Sequence, residues 1–335
     1  MRIPSSVRRG ATLAAKAALA AGFALALAGC DFRRLTADST ADLFHAGSPQ
    51  VNSLEDLDFA EAGVPASLIT LEGVWRVAPD NQDLLIELVQ GYASYGYAFL
   101  EDHLDVAHAA DNEEREDYWR RRARIAYRRG MLFGNLYLDA RQHVQGGPDA
   151  VVHRGLDAWR AYLQRFRTPA DVPALFWTAN AWASWIGLSV DDSNALLDLP
   201  FVVAMAERAR QLDPHFYRGS IDALFGVYHA STPTAFGGQP ETARADFEAA
   251  LATSHRQMLT FQVMYARTYA VQVQDRALYT RLLQEVLDAG DVLPEERLAN
   301  LVAKRRAQRY LAEADTLFAP PDPPAEPAPT PEAHP

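Results

Sequence analysis

Apolar side chains recur along this chain at the three- and four-residue spacing of a helix face, and no stretch alternates long enough to predict a strand. Leu84, Leu85, Leu88, Tyr92, Tyr95 and Phe99 mark one such face, in a helix predicted over about 82–107. Before it, Ser53-Leu-Glu-Asp resembles a weak capping box opening a short helix to about Ala62. Gly63 and Pro65 punctuate, a second short helix is predicted over 66–77, and Pro79-Asp80-Asn81 caps the long one. Further helices are predicted over about 111–143, 150–166, 173–188, 200–212, 216–230, 240–254, 258–272, 275–289 and 294–318. Gly146-Gly147-Pro148 and the Pro- and Gly-rich stretch 231–239 are the clearest breaks, and Pro240 suits a first helical turn. Short connections make successive helices antiparallel, so the expected fold is all-α: a compact bundle of roughly a dozen antiparallel helices.

Traces of a helix-pair repeat run through it. Ala243, Phe247 and Ala250 fit the second helix of a tetratricopeptide unit, Ala209 and Pro214 fit its end, and Leu88 with Tyr92 fits part of a first helix. No two complete copies align, so the tetratricopeptide-like pairs are degenerate.

The segment LFWTANAWASWIGL, 175–188, is the centre of the pattern. It holds Trp177, Trp182 and Trp185, half of the chain's six tryptophans, and no charge. A helix apolar nearly all round is a buried one, and this one is too short to span a bilayer. Asn180, Ala183, Ser184 and Gly187 form a strip of small and polar side chains along it, expected to face either a tight helix contact or a ligand channel. A buried Asn180 would need a partner, because an unpaired buried amide costs about 1–3 kcal/mol.

Composition changes the picture mostly at the ends. The 335 residues are 49% hydrophobic and 22% charged, ample for a core, with a net charge of −11. Arg2, Arg8, Arg9 and Lys16 precede an Ala/Leu-rich run, so residues 1–29 read as a targeting leader. Without those four cations the balance falls near −15. That excludes nucleic acid, which needs a basic face. Leu27-Ala28-Gly29-Cys30 resembles the bacterial lipobox at all four positions, which implies a lipid on Cys30, the only cysteine. Multiple acyl chains give stable anchoring, with Asp31 favouring the inner membrane where the enterobacterial sorting rule applies. Residues 30–52 are polar and aperiodic and read as a tether; 53–318 reads as one helical domain; the Pro-rich tail 319–335 has too few apolar side chains to fold.

Catalytic chemistry finds little support. His103 and His108 do not share a helix face, the other histidines are scattered, and no metal, nucleophile-elbow or phosphate-loop pattern occurs. No catalytic residue, metal site or cofactor is assigned. The aromatic sets leave two alternatives open: core packing, or an apolar cavity with polar handles. The candidate lining is Tyr92, Tyr95, Phe99, Trp177, Asn180, Trp182, Ser184, Trp185 and Tyr228.

Over about 71–318 the chain resembles the T-component proteins associated with TRAP transporters, the tripartite ATP-independent periplasmic systems. The resemblance is carried by PDNQDLLIELVQGYASYGYAFLED (79–102), LFWTANAWASWIGL (175–188), LPFVVAMAERARQLDP (199–214), GGQPETARADFEAAL (237–251), YARTYAVQVQDRALYTRLLQEVL (265–287) and RLANLVAKRRAQRYLAEADTLF (297–318). It implies a periplasm-facing lipoprotein with a fold related to tetratricopeptide repeats, forming homotrimers pierced by channels. It also implies a periplasmic solute-binding protein as partner, a hydrophobic organic acid as ligand, and no catalytic motif. The Pro-rich tail departs from that pattern. The other reading is a helical scaffold for envelope protein–protein interaction, without a small ligand.

Overall fold

Capped ends and buried stripes define the helices, and the caps fall close to where the sequence puts them. Asn81 accepts a hydrogen bond from the Leu84 amide and opens the helix Gln82–Tyr95. Asn112 accepts from the Arg115 amide and opens Glu113–Arg141, and Asp275 accepts from the Leu278 amide and opens Arg276–Asp288. The computed structural model describes residues 32–189, 191–234 and 237–318, and these are all-α, with no strand among them. The leader 1–29, Cys30, Asp31 and the tail 319–335 lie outside the described residues.

The helices are numbered in chain order: α1 over 32–52; α2 Leu57–Trp75, α3 Gln82–Tyr95, α4 Glu101–Ala109, α5 Glu113–Arg141, α6 Gly147–Val152, α7 Leu156–Leu163, α8 Val172–Gly187, α9 Ser193–Leu196, α10 Leu199–Leu212, α11 Phe216–Ser231, α12 Pro240–Thr253, α13 Leu259–Tyr265, α14 Arg276–Asp288, α15 Arg297–Ala312 and α16 Ala314–Leu317. The chain divides into two compact units. The first holds the described residues to Ile221 with Leu293–Leu301; the second holds Asp222–Val292 and the described residues from Val302. The sequence pattern, continuous over 53–318, gave no sign of that division. In the first unit α5 is the axis, packed against α3, α4 and α8, while α8 also contacts α3 and α10. In the second, α13 contacts α12 and α14.

Five departures from the predicted elements have physical reasons. The stretch expected as an aperiodic tether is helical as α1, which buries only the small Ala37 and Ala41. Polar contacts also hold it: Asn81 donates to Asp38, Ser48 donates to Glu87, and His45 lies 2.6 Å from Glu87. With two alanines, one half-buried Phe44 and polar groups along that stripe, no clear apolar period can be read. The two short helices expected around Gly63 and Pro65 are one helix, α2, with Pro65 inside and Asp56 as its cap. Buried Ala60, Leu68 and Leu71 hold both halves against the body. The helix predicted over 150–166 is split at Gly155, whose φ of 97° breaks it into α6 and α7. The long helix after Asn81 and the one after Met258 each widen into a π-turn, at Gly96–Leu100 and Ala266–Ala270. Finally, α11 starts with Tyr217, Arg218 and Gly219 at φ of 42°, 58° and 94°. Left-handed backbone at two non-glycine residues costs about 1–2 kcal/mol each and needs local contacts to hold it.

Candidate functional site

The Trp-rich helix is α8, and it lies where it was expected, in the core of the first unit. It meets α5 through glycines. A Cβ on Gly134 would lie 2.0 Å from the Thr178 hydroxyl oxygen, and one on Gly130 would lie 3.4 Å from the Ala181 Cβ. The Thr178 hydroxyl instead donates to the Ala174 carbonyl at 2.6 Å. Absent side chains on α5 let the two backbones approach, so Thr178 and Ala181 form the tight face. The Asn180–Ser184 strip, expected to face either a tight helix contact or a ligand channel, is not part of this contact. Asn180, Ala183 and Ser184 are in fact half-buried and Gly187 is exposed, so Asn180 carries no burial that demands a partner.

The three tryptophans point in different directions. Trp182, 7% exposed, donates its indole N–H to Asp198 at 3.2 Å. Its ring meets Trp159 edge-on at 6.4 Å and stacks on Phe201 at 6.3 Å. Burial raises the Asp198 carboxyl, and the Trp182 hydrogen bond partly offsets it. Trp185 is half-buried under the Arg128 guanidinium at 5.5 Å, and its indole nitrogen is buried without a partner among the described residues. Trp177 lies edge-on to Tyr217 at 5.7 Å and to Phe176 at 5.0 Å.

Neither Tyr217, one of the aromatics of its helix, nor Glu296 is in the candidate lining read from the sequence. The Tyr217 hydroxyl donates to Glu296 Oε2 at 2.5 Å, and Arg218 donates to Glu295 at 2.6 Å. Burial pushes the Tyr217 phenol well above its ordinary range, reinforced by the Glu296 charge. Burial likewise raises the Glu296 carboxyl, against the opposing Tyr217 hydrogen bond and Arg218 charge. These contacts hold the left-handed start of α11 in place. No sequence signal pairs residues 79 positions apart, and the pattern over 216–230 predicts one uninterrupted helix.

The α3 set makes a second cluster in the same unit. Tyr92 donates to Glu72 at 2.6 Å and stacks on Phe133 at 6.0 Å. Burial, then the Glu72 hydrogen bond, pushes its phenol up to about 12. Arg129 donates from Nε to Glu72 at 2.7 Å and bonds the same carboxylate through Nη2. That two-point grip holds Glu72 below the usual carboxylate range. Tyr95 is half-buried beside Phe99, ring centres 5.9 Å apart, and Phe99 is fully inside. Tyr228 belongs to the second unit, where its ring lies 5.0 Å from His229 and its hydroxyl fills the space a Gly237 Cβ would take. Several histidines are engaged by acids: His103 meets Glu61 at 2.5 Å, His229 meets Asp246 at 2.7 Å, and His108 meets Glu116 at 2.9 Å. Two surface clefts, one around Arg141 and Asp171 and one along α14, are lined by none of the aromatic candidates.

Set beside known proteins, residues 53–318 match the family model described as TRAP transporter T-component. The chain belongs to that family. Membership carries association with a TRAP transporter, as a transporter-associated subunit, and a membrane-associated periplasmic setting. An uncharacterized protein of Treponema pallidum (strain Nichols) is 23% identical over 314 residues, covering 88% of this chain and 94% of the relative. No helix among the described residues is long and apolar enough to cross a membrane.

Proposed function

We propose that this T-component is a non-enzymatic lipoprotein, anchored through Cys30 and facing the periplasm. It docks onto the solute-binding protein of its TRAP transporter and handles a hydrophobic organic acid. The carrying observation is the family match over 53–318, to which the Leu27-Ala28-Gly29-Cys30 sequence adds the anchor. A tether of this kind raises the local concentration of a membrane partner. The exposed row Tyr118, Ile125 and Leu132 along α5 is compatible with self-association as a homotrimer. The test is co-purification of the full chain with the solute-binding protein encoded beside it. A complex at micromolar concentration is expected; its absence with both partners folded overturns the docking role.

The ligand-free scaffold draws on a separate observation. Tyr92 and Trp182 both spend their polar atoms on internal carboxylates, as core residues do. Native mass spectrometry and Trp fluorescence separate the two readings. A retained acid, or emission shifted by fatty or aromatic acids, supports ligand handling, and an empty protein with unmoved emission supports the scaffold.

A further inference from the structure

Three arginines converge on one cleft in a chain whose net charge is −11. The cleft, about 440 Å³, is lined by Arg141, Gln142, Arg165, Arg167, Thr168 and Asp171, all in the first unit. It sits where α5 and α7 end and where the 3₁₀ turn Pro169–Asp171 leads into α8.

Its only acid is already spent. Asp171 Oδ1 accepts from Arg141 Nε at 2.8 Å. Oδ2 accepts the amides of Arg167 and Thr168, both at 3.1 Å, and the Thr168 hydroxyl at 2.9 Å. Burial by itself would raise that carboxyl; Arg141 and Thr168 together bring it below its ordinary value. One positive charge of the cleft is thereby balanced. Arg165 reaches the His143 carbonyl at 3.4 Å and the face of Tyr162 at 5.6 Å, and neither it nor Arg167 forms an ion pair with a described residue. The lining therefore carries two uncompensated guanidinium charges beside a neutralised pair.

We infer that this cleft is a binding site for a small polyanion bearing carboxylate or phosphate groups, apart from the aromatic cluster of α8. Guanidinium forks match planar and tetrahedral oxyanions with two parallel hydrogen bonds. Gln142 and Thr168 add neutral polar groups, and no apolar side chain lines the space to favour a hydrocarbon tail. The volume suits a compact molecule, near the lower end of the roughly 300–1,000 Å³ of small-molecule sites. The acidic remainder of the chain repels anions at long range, so attraction at this spot is local.

A purely structural role is the competing account: the arginines would only answer the terminal carbonyls of α5 and α7. Calorimetric titration of the full chain in detergent, at low ionic strength, decides between them. The probes are succinate, citrate and inorganic phosphate, with acetate and chloride as monovalent controls. Saturable binding of a multivalent anion is expected, weakened as salt is added. The double variant Arg165→Gln, Arg167→Gln should weaken it by about tenfold or more, the loss of a charged hydrogen bond. Both side chains are exposed, and circular dichroism checks that the variant keeps its helices. Whether citrate or phosphate binds tighter names the source of the oxyanion. Equal response to acetate, chloride and citrate, or a double variant that binds as the parent does, overturns the site.

Discussion

Two faces of α8 are built on opposite terms. On one, Thr178 and Ala181 press against Gly134 and Gly130 of α5, with no room for a methyl group at Gly134. On the other, Asn180 and Ser184 stand half-buried, and Trp177 reaches from beside them toward Tyr217 and its Glu296 partner. The tight face is held by shape, which tolerates no added atom. On the polar face Asn180 and Ser184 stay half-buried, and the hydrogen bond nearby is the Tyr217–Glu296 one that Trp177 meets. Within one helix, then, stability and adaptability are kept on different sides, and any contact with another molecule is easier to accommodate on the second.

The largest expected effect tests the packed flank beside the tight face. Trp182→Ala removes a ring held by Trp159, Phe201 and Asp198. It should cost about 3–5 kcal/mol in guanidinium unfolding, since the residue is 7% exposed. A loss near zero, with ligand binding altered instead, would make Trp182 a cavity wall and erase the contrast between the faces.

A smaller loss is expected at the crossing itself. Gly134→Ala gains helix propensity, but its methyl overlaps Thr178, so the net cost should be about 1–3 kcal/mol. Adding Thr178→Gly should recover part of it, because the clash is with that side chain. Failure of the second change to recover anything would show that the crossing is not set by the Gly134–Thr178 contact.

The contrast also explains what could be read in advance. The length, burial and lack of charge of α8 were legible because a buried helix must be apolar on most sides. Asn81, Asp275 and Pro240 marked helix starts because caps act within a few residues. Of the two roles open to the Asn180–Ser184 strip, the tight contact falls instead to Thr178 and Ala181, since the small residues that permit the crossing, Gly130 and Gly134, lie on α5 and not on α8 itself. Composition along one helix does not say which partner approaches it. The same limit hid α1, whose buried residues are two alanines, and the Tyr217–Glu296 pair, which exists only once distant segments meet.

The polar face has its own signature in pH. Glu296 is raised from its ordinary value of 4.5, first by burial. The folded state therefore binds its proton more tightly than the unfolded chain does. Stability from this group is full below the unfolded value and is lost as pH rises through the folded one. Glu296→Gln keeps an acceptor for the Tyr217 hydroxyl and removes the ionisation. That part of the pH dependence should flatten, with stability at neutral pH rising by less than either loss above. A variant whose pH profile matches the parent's would detach Glu296 from the linkage.

The smallest effects belong to the strip that first drew notice. Asn180 and Ser184 are half-buried and form no side-chain hydrogen bond described in the structure. Replacing either by Ala should shift unfolding by no more than about 0.5 kcal/mol, the ordinary range for surface positions. Substituting Leu at Ser184, a position still partly exposed, should also leave the fold nearly unchanged. Denaturation and binding to the solute-binding protein, measured on the same variants, complete the comparison. Unchanged stability with weakened docking would place the contact on this face. Destabilisation by several kcal/mol, as expected for Trp182, would mean that both faces of α8 are packed alike and that its polar side is no freer than the side that meets α5.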